Sequence, residues 1–179
     1  SKYKQDYYEN CLRVCDVLAG DFTEYSKQNE KEDLFCEYIP VNIDKVSRQM
    51  NIFLYLFDKE GTCIYASQNS GAAAADLKLS NEMRSAMQKS GTYLTDSASG
   101  KIDRSVAEPM LTRGITFQLD ENGTEVTYYM FASSFTRPLN IYTTQVILMT
   151  VSLLSVLLVI GAGLIFLNIW CANRQTEQL

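Results

Sequence analysis

Five residues in the middle of the chain carry side chains suited to binding a small polar molecule. A tyrosine offers a ring for stacking and a hydroxyl for hydrogen bonding, and an arginine offers a planar fork that fits carboxylate or phosphate. The alternative for each of them is ordinary sheet packing or a solvated charge. These candidate ligand-binding residues are Tyr65, Tyr93, Arg104, Arg113 and Tyr128.

The residue types that the chain lacks narrow its chemistry. It has no histidine among its 179 residues, which excludes Ser–His and Cys–His catalysis, the usual zinc sites and a phospho-accepting histidine from this chain. No nucleophile stands in a recognisable motif, and no glycine-rich loop is suited to phosphate. The net charge of −5 argues against nucleic acid as a partner. We therefore predict a non-catalytic chain with no cofactor and no metal.

Two acidic runs, at residues 30–37 and 120–125, could instead hold a divalent cation or meet a cationic peptide. Calcium needs about six or more oxygen ligands in a shaped loop. Neither run has the spaced Asp/Asn pattern of such a loop. We predict that both runs are solvated charge.

The five cysteines are Cys11, Cys15, Cys36, Cys63 and Cys171. Cys11 and Cys15 are four residues apart, so on a helix they share a face and could chelate a metal or pair with another chain. The alternative is that they are small buried hydrophobic residues. In an extracellular domain the first four cysteines would permit two disulfides, with Cys36 an optional partner for the helix.

Residues 138–173 contain no charged side chain, and most of them are strongly apolar. The stretch Ile147–Trp170 would rise roughly 36 Å as a helix, enough to cross a hydrocarbon layer of about 30 Å. Tyr142 and Trp170 stand near its two ends, where aromatic rings favour the lipid–water boundary. We predict a transmembrane helix in a plasma membrane. The alternative is a buried helix of a soluble protein.

Small residues within this stretch are candidates for close packing between membrane helices: Ser152, Ser155, Gly161 and Gly163. The alternative is that the glycines reflect only the tolerance of membrane helices for glycine. Positive charge says little about orientation, because Arg137 lies just before the stretch and Arg174 just after it. On architecture, we predict that the large domain is extracellular and the C-terminus cytoplasmic.

The remaining pattern predicts helices and strands in a definite order. A long amphipathic helix is followed by a short helix, a hairpin, a third helix, a short strand and a second hairpin. Ser80 is the predicted N-cap of the third helix, which stops before Gly91. Asn122-Gly123 is the predicted turn of the second hairpin. We predict a loop around Pro40 between the first two helices. Five antiparallel strands with helices on one side make an α+β fold. The predicted ranges are 2–29, 41–50, 51–58, 62–67, 80–90, 92–95, 114–119 and 125–133.

The apolar stripe of the first helix admits two partners. Tyr7, Cys11, Val14 and Leu18 follow a near-heptad spacing, which would suit a parallel pair with a second copy of the chain. The same stripe could instead pack on the sheet of its own domain.

The first hairpin carries a resemblance to a known family. It consists of an apolar strand from Ile52, then Asp58, two residues, Gly61 and a second apolar strand that ends at Ser67. This resembles the extracytoplasmic PAS-like sensor domains, the PDC or single Cache group, of bacterial membrane receptors, particularly sensor histidine kinases of Gram-positive bacteria. The helix that ends at Gly91, the run Ala107-Glu-Pro109 and the final strand before the apolar stretch also fit.

The chain departs from that family in two ways. The hairpin over residues 111–134 is longer than the short final strand that family members often have. The combination of aromatic residues, Arg and Asp that binds amino acids in double-Cache receptors is missing, so the resemblance does not imply an amino-acid ligand.

The resemblance implies a PAS-like five-stranded antiparallel sheet with a long N-terminal helix, followed by one transmembrane helix. The predicted divisions are an N-terminal helix at 1–33, a sensor domain at 34–139, a membrane helix at 140–172 and a cytoplasmic tail at 173–179. Since the chain starts at Ser1 without an initiator Met or a signal peptide, we expect a first membrane helix upstream.

The function implied by the resemblance is that of the signal-sensing and signal-transmitting region of a two-component sensor histidine kinase, without the kinase module. Its partners would be the membrane, an unknown extracellular signal (a small molecule, peptide or protein), a second copy of the chain and a cytoplasmic kinase module. The alternatives are the sensor region of a chemotaxis receptor or cyclase, or a membrane-tethered accessory protein that scaffolds a protein partner.

Overall fold

The computed structural model describes residues 2–95, 101–106, 110–135 and 137–176. The chain divides into two compact units, Ser1–Arg137 and Pro138–Leu179. The first unit holds a five-stranded antiparallel sheet with a long N-terminal helix, and the second is an apolar helix. The predicted α+β, PAS-like fold class is confirmed. The predicted domain boundaries stay predictions.

The elements follow the predicted order. A π-helical turn (Leu34–Tyr38) joins α2 to α3, and two 3-10 turns (Gln68–Ser70 and Ala74–Asp76) lie between β2 and α4. The helices are α1 (Lys2–Ser26), α2 (Lys31–Asp33), α3 (Ile39–Met50), α4 (Asn81–Ser90) and α5 (Arg137–Thr176). The strands are β1 (Phe53–Asp58), β2 (Cys63–Ala66), β3 (Thr92–Thr95), β4 (Met110–Glu121) and β5 (Thr124–Phe135).

The strand order is β2-β1-β5-β4-β3, and all neighbours are antiparallel. β4 and β5 pair along their whole length up to the turn at Asn122 and Gly123. The φ angles of these two residues are 56° and 85°. Two positive φ values suit a two-residue turn whose twist matches that of the strands, and an Asn-Gly pair adopts them readily. The predicted hairpin is confirmed.

Both faces of the sheet are covered. Successive side chains of a strand point to opposite faces, so β1 places Leu54 and Leu56 on one face and Tyr55 and Phe57 on the other. The α1 face packs against α1, the π turn and α3, and the α4 face packs against α4 and the segment before it. The prediction that the helices lie on one side is wrong. All four of these β1 side chains are buried, so both faces need cover.

The predicted loop around Pro40 is also wrong. The chain is helical from Lys31 to Met50, including the π turn, and Pro40 lies in the first turn of α3. The π turn ends just before Pro40: the Ile39 N–H donates to the Leu34 carbonyl oxygen, and Pro40 has no N–H to place in the helix. Ile39 and Ile43 are buried on the α1 face, and this burial stabilises the helical conformation.

The second half of α1 packs on the sheet of its own chain. Leu18 and Phe22 are buried on the α1 face, and Val14 is partly buried against them. This part of the stripe is therefore used within the domain. The side chains of Tyr7 and Cys11 lie outside the described residues, and dimerisation stays a prediction.

Two cysteines are described as free thiols. Cys36 is exposed, and Cys63 is buried on the α4 face. The predicted option of a disulfide from Cys36 to the first helix is therefore wrong. The side chains of Cys11 and Cys171 lie outside the described residues.

In the second unit, α5 contains a 26-residue segment, Gln145–Trp170, that is long and apolar enough to cross a membrane, with a mean hydropathy of 2.5. Ser152 Oγ donates to the carbonyl oxygen of Met149 at 3.0 Å, and Ser155 Oγ donates to that of Ser152 at 2.7 Å. Both hydroxyls are thus satisfied within their own helix, as an apolar environment requires. Their predicted part in helix packing, with Gly161 and Gly163, stays a prediction.

Candidate functional site

The structure does not bring the five predicted binding residues together. Tyr65 and Tyr128 pack on the α1 face, and the register of β4 with β5 places Arg113 there too. Tyr93 packs on the α4 face. Arg104 is exposed in the loop before β4.

Tyr65 holds a structural contact on the α1 face. Its hydroxyl donates to Asp44 Oδ2 of α3 at 2.8 Å. Partial burial and the hydrogen bond to the Asp44 carboxylate raise the pKa of Tyr65 to about 12. The hydroxyl therefore stays protonated and keeps donating to α3.

Tyr128 belongs to a second contact at the tip of the β4–β5 hairpin. Its hydroxyl donates to Glu121 Oε1, while Lys31 Nζ of α2 lies 2.5 Å from Glu121 Oε2. Phe35 packs against Tyr128, with ring centroids 5.5 Å apart. Partial burial raises the pKa of Glu121, but the hydrogen bonds from Lys31 and Tyr128 outweigh it and hold the pKa below its usual value. This cluster ties α2 and the π turn to the hairpin.

We expect Glu121→Gln to lower the free energy of unfolding by about 0.5–1 kcal/mol near neutral pH, because the half-exposed Lys31 is screened by water. The folded pKa of Glu121 lies below the unfolded value near 4.5. Its stabilisation is therefore present above that pH and is lost as the pH falls through the folded pKa. Urea unfolding at neutral and acid pH should show wild type and variant converging in acid. The exposed Glu125→Gln is the control, and an unchanged gap in acid would contradict the assignment.

Three hydroxyl-bearing residues form a row across the α4 face. Thr95 of β3 pairs with Thr112 of β4, which pairs with Ser133 of β5. Ser133 lies two positions beyond Phe131 on the same face of its strand. Thr112 and Ser133 are 0% and 2% exposed, and their Oγ atoms are 2.9 Å apart. Because a buried hydroxyl is costly unless it is hydrogen bonded, the two satisfy each other. We call Thr95, Thr112 and Ser133 the hydroxyl row.

The next row along the sheet is aromatic. Tyr93, Gly114, Phe131 and Tyr55 are consecutive cross-strand neighbours. The Phe131 ring lies over Gly114 so closely that a Cβ there would be 2.5 Å from it. The rings of Tyr93 and Phe131 have centroids 6.2 Å apart. The missing side chain at Gly114 thus allows Phe131 to lie flat across the sheet.

Tyr55 is the most buried tyrosine of this row, at 1% exposure. Burial raises its pKa, the nearby Asp103 raises it further, and a hydrogen bond with the Ser70 side chain opposes them. Burial also raises the pKa of Tyr93, with Glu82 adding to the effect. Both tyrosines keep their hydroxyl hydrogens and can act as donors.

Helix α4 and the segments beside it cover these rows. Ser80 Oγ accepts a hydrogen bond from the Met83 backbone N at 3.2 Å, and Gly91, with φ of 70°, ends the helix. Both predicted boundaries are confirmed. Met83 and Met87 of α4 pack on the α4 face, as does Ile102 of the loop before β4.

The arrangement combines hydrogen-bonding groups with aromatic side chains on one largely buried face of the sheet. Its hydroxyls can both donate and accept. Asp103, whose Oδ1 accepts from the Ser105 N–H and Oγ, lies near enough to Tyr55 to raise the pKa of that hydroxyl. Among the described residues, no three His, Cys, Asp or Glu side chains are grouped to hold a metal ion. We call this set the α4-face site: Tyr55, Ser70, Tyr93, Asp103 and the hydroxyl row.

Sequence reasoning found only Tyr93 of this site. Tyr55 was hidden because it stands in an apolar run that reads simply as a buried strand. Thr112 and Ser133 offered a weak signal, since hydroxyl residues interrupt strands that are otherwise apolar. Which face they occupy depends on the register, which the sequence pattern did not specify.

Comparisons with known proteins give distant structural neighbours. No family model matches the chain, and no curated protein matches it. The ligand-binding domain of the Campylobacter jejuni chemoreceptor Tlp3 in complex with 4-methylisoleucine is 12% identical, with a TM-score of 0.46, and the match covers 78% of this chain and 62% of that one. The sensory domain of the same chemoreceptor with isoleucine bound is 13% identical, with a TM-score of 0.44 and coverage of 76% and 62%.

An extracellular domain ascribed to the histidine kinase vpHK1S-Z8 is 10% identical, with a TM-score of 0.29, over 72% of this chain and 57% of that one. This chain thus spans about 62% of the length of the chemoreceptor domains. At these identities and TM-scores the similarity establishes neither the fold nor the function of this chain.

Proposed function

We propose that the chain is the extracellular signal-sensing and transmembrane signal-transmitting region of a two-component sensor histidine kinase of the Gram-positive type. The resemblance of the hairpin over residues 52–67 supports this role, as does the PAS-like sheet with its polar site. The kinase module belongs to a part of the protein beyond this chain, and the chain itself binds rather than catalyses.

The observation that carries the proposal is the short connection from the site to the apolar helix. Ser133 of the hydroxyl row belongs to β5, which ends at Phe135, and α5 begins at Arg137. A ligand that binds two states of the sheet unequally shifts their populations. A displacement of β5 would then be passed to α5 through the continuous backbone, and shifts of about 1–2 Å are typical of such transitions.

The signal that suits this site is a small polar molecule with hydrogen-bond donors. The Asp103 carboxylate and the hydroxyls of Thr112 and Ser133 can accept from it, and the rings of Tyr93 and Phe131 provide flat apolar walls. Tyr65 and Tyr128, by contrast, are engaged with α3 and with Glu121, which favours a structural role for both.

The proposed topology places the sheet outside the plasma membrane, α5 across it and Arg174 in the cytoplasm. A homodimer would bring two copies of α5 side by side, so that a relative shift or rotation reaches both kinase modules. The N-terminal half of α1 is the segment we propose for the dimer contact outside the membrane.

The site is tested by ligand screening on the full chain in nanodiscs. Small amines, amino acids, carboxylates and sugars are added, and compounds that raise the melting temperature are titrated again on Thr112→Val. Loss of the hydroxyl removes a hydrogen-bonding group and leaves Ser133 Oγ without its partner. We expect at least a tenfold loss of affinity, as for a missing hydrogen bond worth about 1.5 kcal/mol.

The matched control is Thr124→Val, the same change at the exposed tip of β5, which should bind like wild type. Equal affinity in wild type, Thr112→Val and Thr124→Val would refute the site, as would a screen in which no compound binds. The coding sequence after Leu179 tests the output: a kinase module supports the proposal, and a stop codon there supports the accessory protein instead.

A further inference from the structure

The segment that follows β2, consisting of Ser67 and the first 3-10 turn, contacts both faces of the sheet. We call residues Ser67–Ser70 the corner. Ser67 is fully buried and anchors it to β1: its N–H donates to the Leu54 carbonyl oxygen at 2.8 Å, and its Oγ accepts from the Leu54 N–H at 3.0 Å. From this anchor the chain runs past α3 and on to the α4 face.

On its α3 side the corner is held by one buried carboxylate. Asp44 is 6% exposed. Its Oδ1 accepts from the Gln68 N–H at 2.9 Å, and its Oδ2 accepts from the Tyr65 hydroxyl at 2.8 Å. Each carboxylate oxygen thus has a different donor, one from the corner and one from β2.

A side-chain amide holds the corner from the same side. Asn69 Nδ2 donates to the carbonyl oxygen of Ile52 at 2.9 Å and to that of Ser47 at 3.3 Å. These carbonyls lie where α3 ends and β1 is about to begin. The corner is therefore bonded to α3, to β1 and to the residues between them.

On its other side the corner supplies a residue to the α4-face site. Ser70 Oγ accepts from the Ala72 N–H at 3.3 Å, and Ala72 packs on the α4 face. The Ser70 side chain is close enough to Tyr55 to lower the pKa of its hydroxyl against the effect of burial. Gly71, with φ of 71°, turns the chain just after it. The corner thus places Ser70 beside Tyr55.

A buried carboxylate is costly unless hydrogen bonds compensate for its lost hydration. Apolar residues can pack a strand against a helix without the desolvation cost of a buried carboxylate. The hydrogen bonds of Asp44 therefore provide something that apolar packing does not. They fix the orientation of the corner backbone. Arg48, one turn further along α3, donates from Nε to the Asp44 carbonyl oxygen at 3.1 Å, which leaves both carboxylate oxygens of Asp44 to the corner and β2.

The structure assigns Asp44 as a positioning residue of the α4-face site: from the opposite face of the sheet, it fixes the corner that presents Ser70 to Tyr55. This rests on the proposed function, in which that site receives the signal. It follows that a ligand that displaces Ser70 from Tyr55 pulls on α3 through the same bonds.

The test is hydrogen exchange on the full chain in detergent, followed by mass spectrometry, with Asp44→Ala, Tyr65→Phe and the control Asp76→Asn. Asp76 is an exposed aspartate of the same connection. In Asp44→Ala we expect the amides of Gln68 and Gly71 to exchange at least tenfold faster, with β4 and β5 unchanged. Tyr65→Phe removes only the β2 bond, so it should fold well and produce a smaller effect of the same kind.

A thiol on the α4 face gives a second readout. Burial raises the pKa of Cys63 to about 12, so its alkylation by iodoacetamide should be slow, with the exposed Cys36 as an internal reference. If Asp44 positions the corner, Asp44→Ala speeds alkylation of Cys63 relative to Cys36 at least several-fold, and Asp76→Asn does not.

Unchanged corner exchange and Cys63 alkylation in Asp44→Ala would overturn the inference. The inference would also be overturned if, in Asp44→Ala, the amides of β4 and β5 exchanged faster by the same factor as those of the corner. That pattern would mean that the whole domain is destabilised. If Asp44→Ala does not fold, the same two measurements, amide exchange in the corner and alkylation of Cys63, are made on Tyr65→Phe and decide whether the inference holds. No ligand is involved in these measurements, so their failure is distinct from a failed ligand screen.

Discussion

Replacing Phe131 by alanine is expected to destabilise the sheet domain by about 3–5 kcal/mol, the range for removing a large buried aromatic side chain. Phe131 is 0% exposed and central to the α4 face. Its ring meets that of Phe57 edge-on, with centroids 5.6 Å apart, and lies flat over Gly114. Urea unfolding of the full chain in detergent, followed by tyrosine fluorescence and near-UV circular dichroism, measures the loss.

A double substitution isolates the contact with Gly114. Alone, Gly114→Ala forces a Cβ to within 2.5–2.9 Å of three Phe131 ring atoms and should cost about 1–3 kcal/mol through overpacking. In the Phe131→Ala background that cost should vanish, because the clashing ring is gone. Additive effects of the two substitutions would contradict the contact.

The second large effect is expected at Phe22, on the opposite face. Phe22 is 0% exposed, and its ring meets that of Tyr38 edge-on with centroids 6.0 Å apart. Phe22→Ala should cost about 3–5 kcal/mol and loosen α1 from the sheet. Denaturant unfolding gives the free energy, and hydrogen exchange in α1 shows whether the helix loosens before the sheet does.

Val17→Ala is the matched control on the same helix, because Val17 is 57% exposed. Its effect should stay within about 0.5 kcal/mol, as for most surface substitutions. Comparable losses of stability in Val17→Ala and Phe22→Ala would mean that α1 does not pack against its own sheet through the face that carries Phe22. Loss of dimerisation in Val17→Ala alone would point to a second copy on its outer face.

Both sets of variants also test the proposed signalling function. Asp44 and Phe22 lie with the α1-face elements, whereas Phe131 and Tyr55 pack on the α4 face, and β1 contributes side chains to both faces. Under the proposed function, a change at the site would have two routes through the domain: along β5 toward α5, and through the corner to α3. A variant that destabilises only one of the two faces can therefore distinguish between these routes.

Local chemistry explains which parts of the fold were predictable. Asn122-Gly123 specifies its own turn through two positive φ angles, Ser80 caps α4 with its own hydroxyl, and Gly91 ends it. Runs rich in aromatic and β-branched residues, bounded by turn residues, likewise indicated the strands. The segment before α3 was misread because Pro40 and the polar run suggested a loop, whereas burial of residues farther along stabilised a helix.

The candidate site was much less predictable. Tyr65 and Tyr128 have side chains suited to binding, but a one-residue step along a strand moves a side chain to the other face. Tyr65 thus meets α3, whereas Ala66 packs on the α4 face. A register shift that leaves Ile64 without a partner on β1 puts Cys63 on the α4 face as well. Ser70 lies in a 3-10 turn and Asp103 in a loop, and the path of such connections over the sheet follows no periodic sequence pattern.

By itself, the amino-acid sequence determined the order of helices and strands, the hairpin turns and the apolar stretch of α5, because each depends on residues close together in the chain. The tertiary structure alone decided that helices cover both faces of the sheet, that Thr112 and Ser133 meet inside it, and that Asp44 holds the corner behind Ser70. These features join residues that are far apart in the chain, and only the strand register and the competition for burial bring them together.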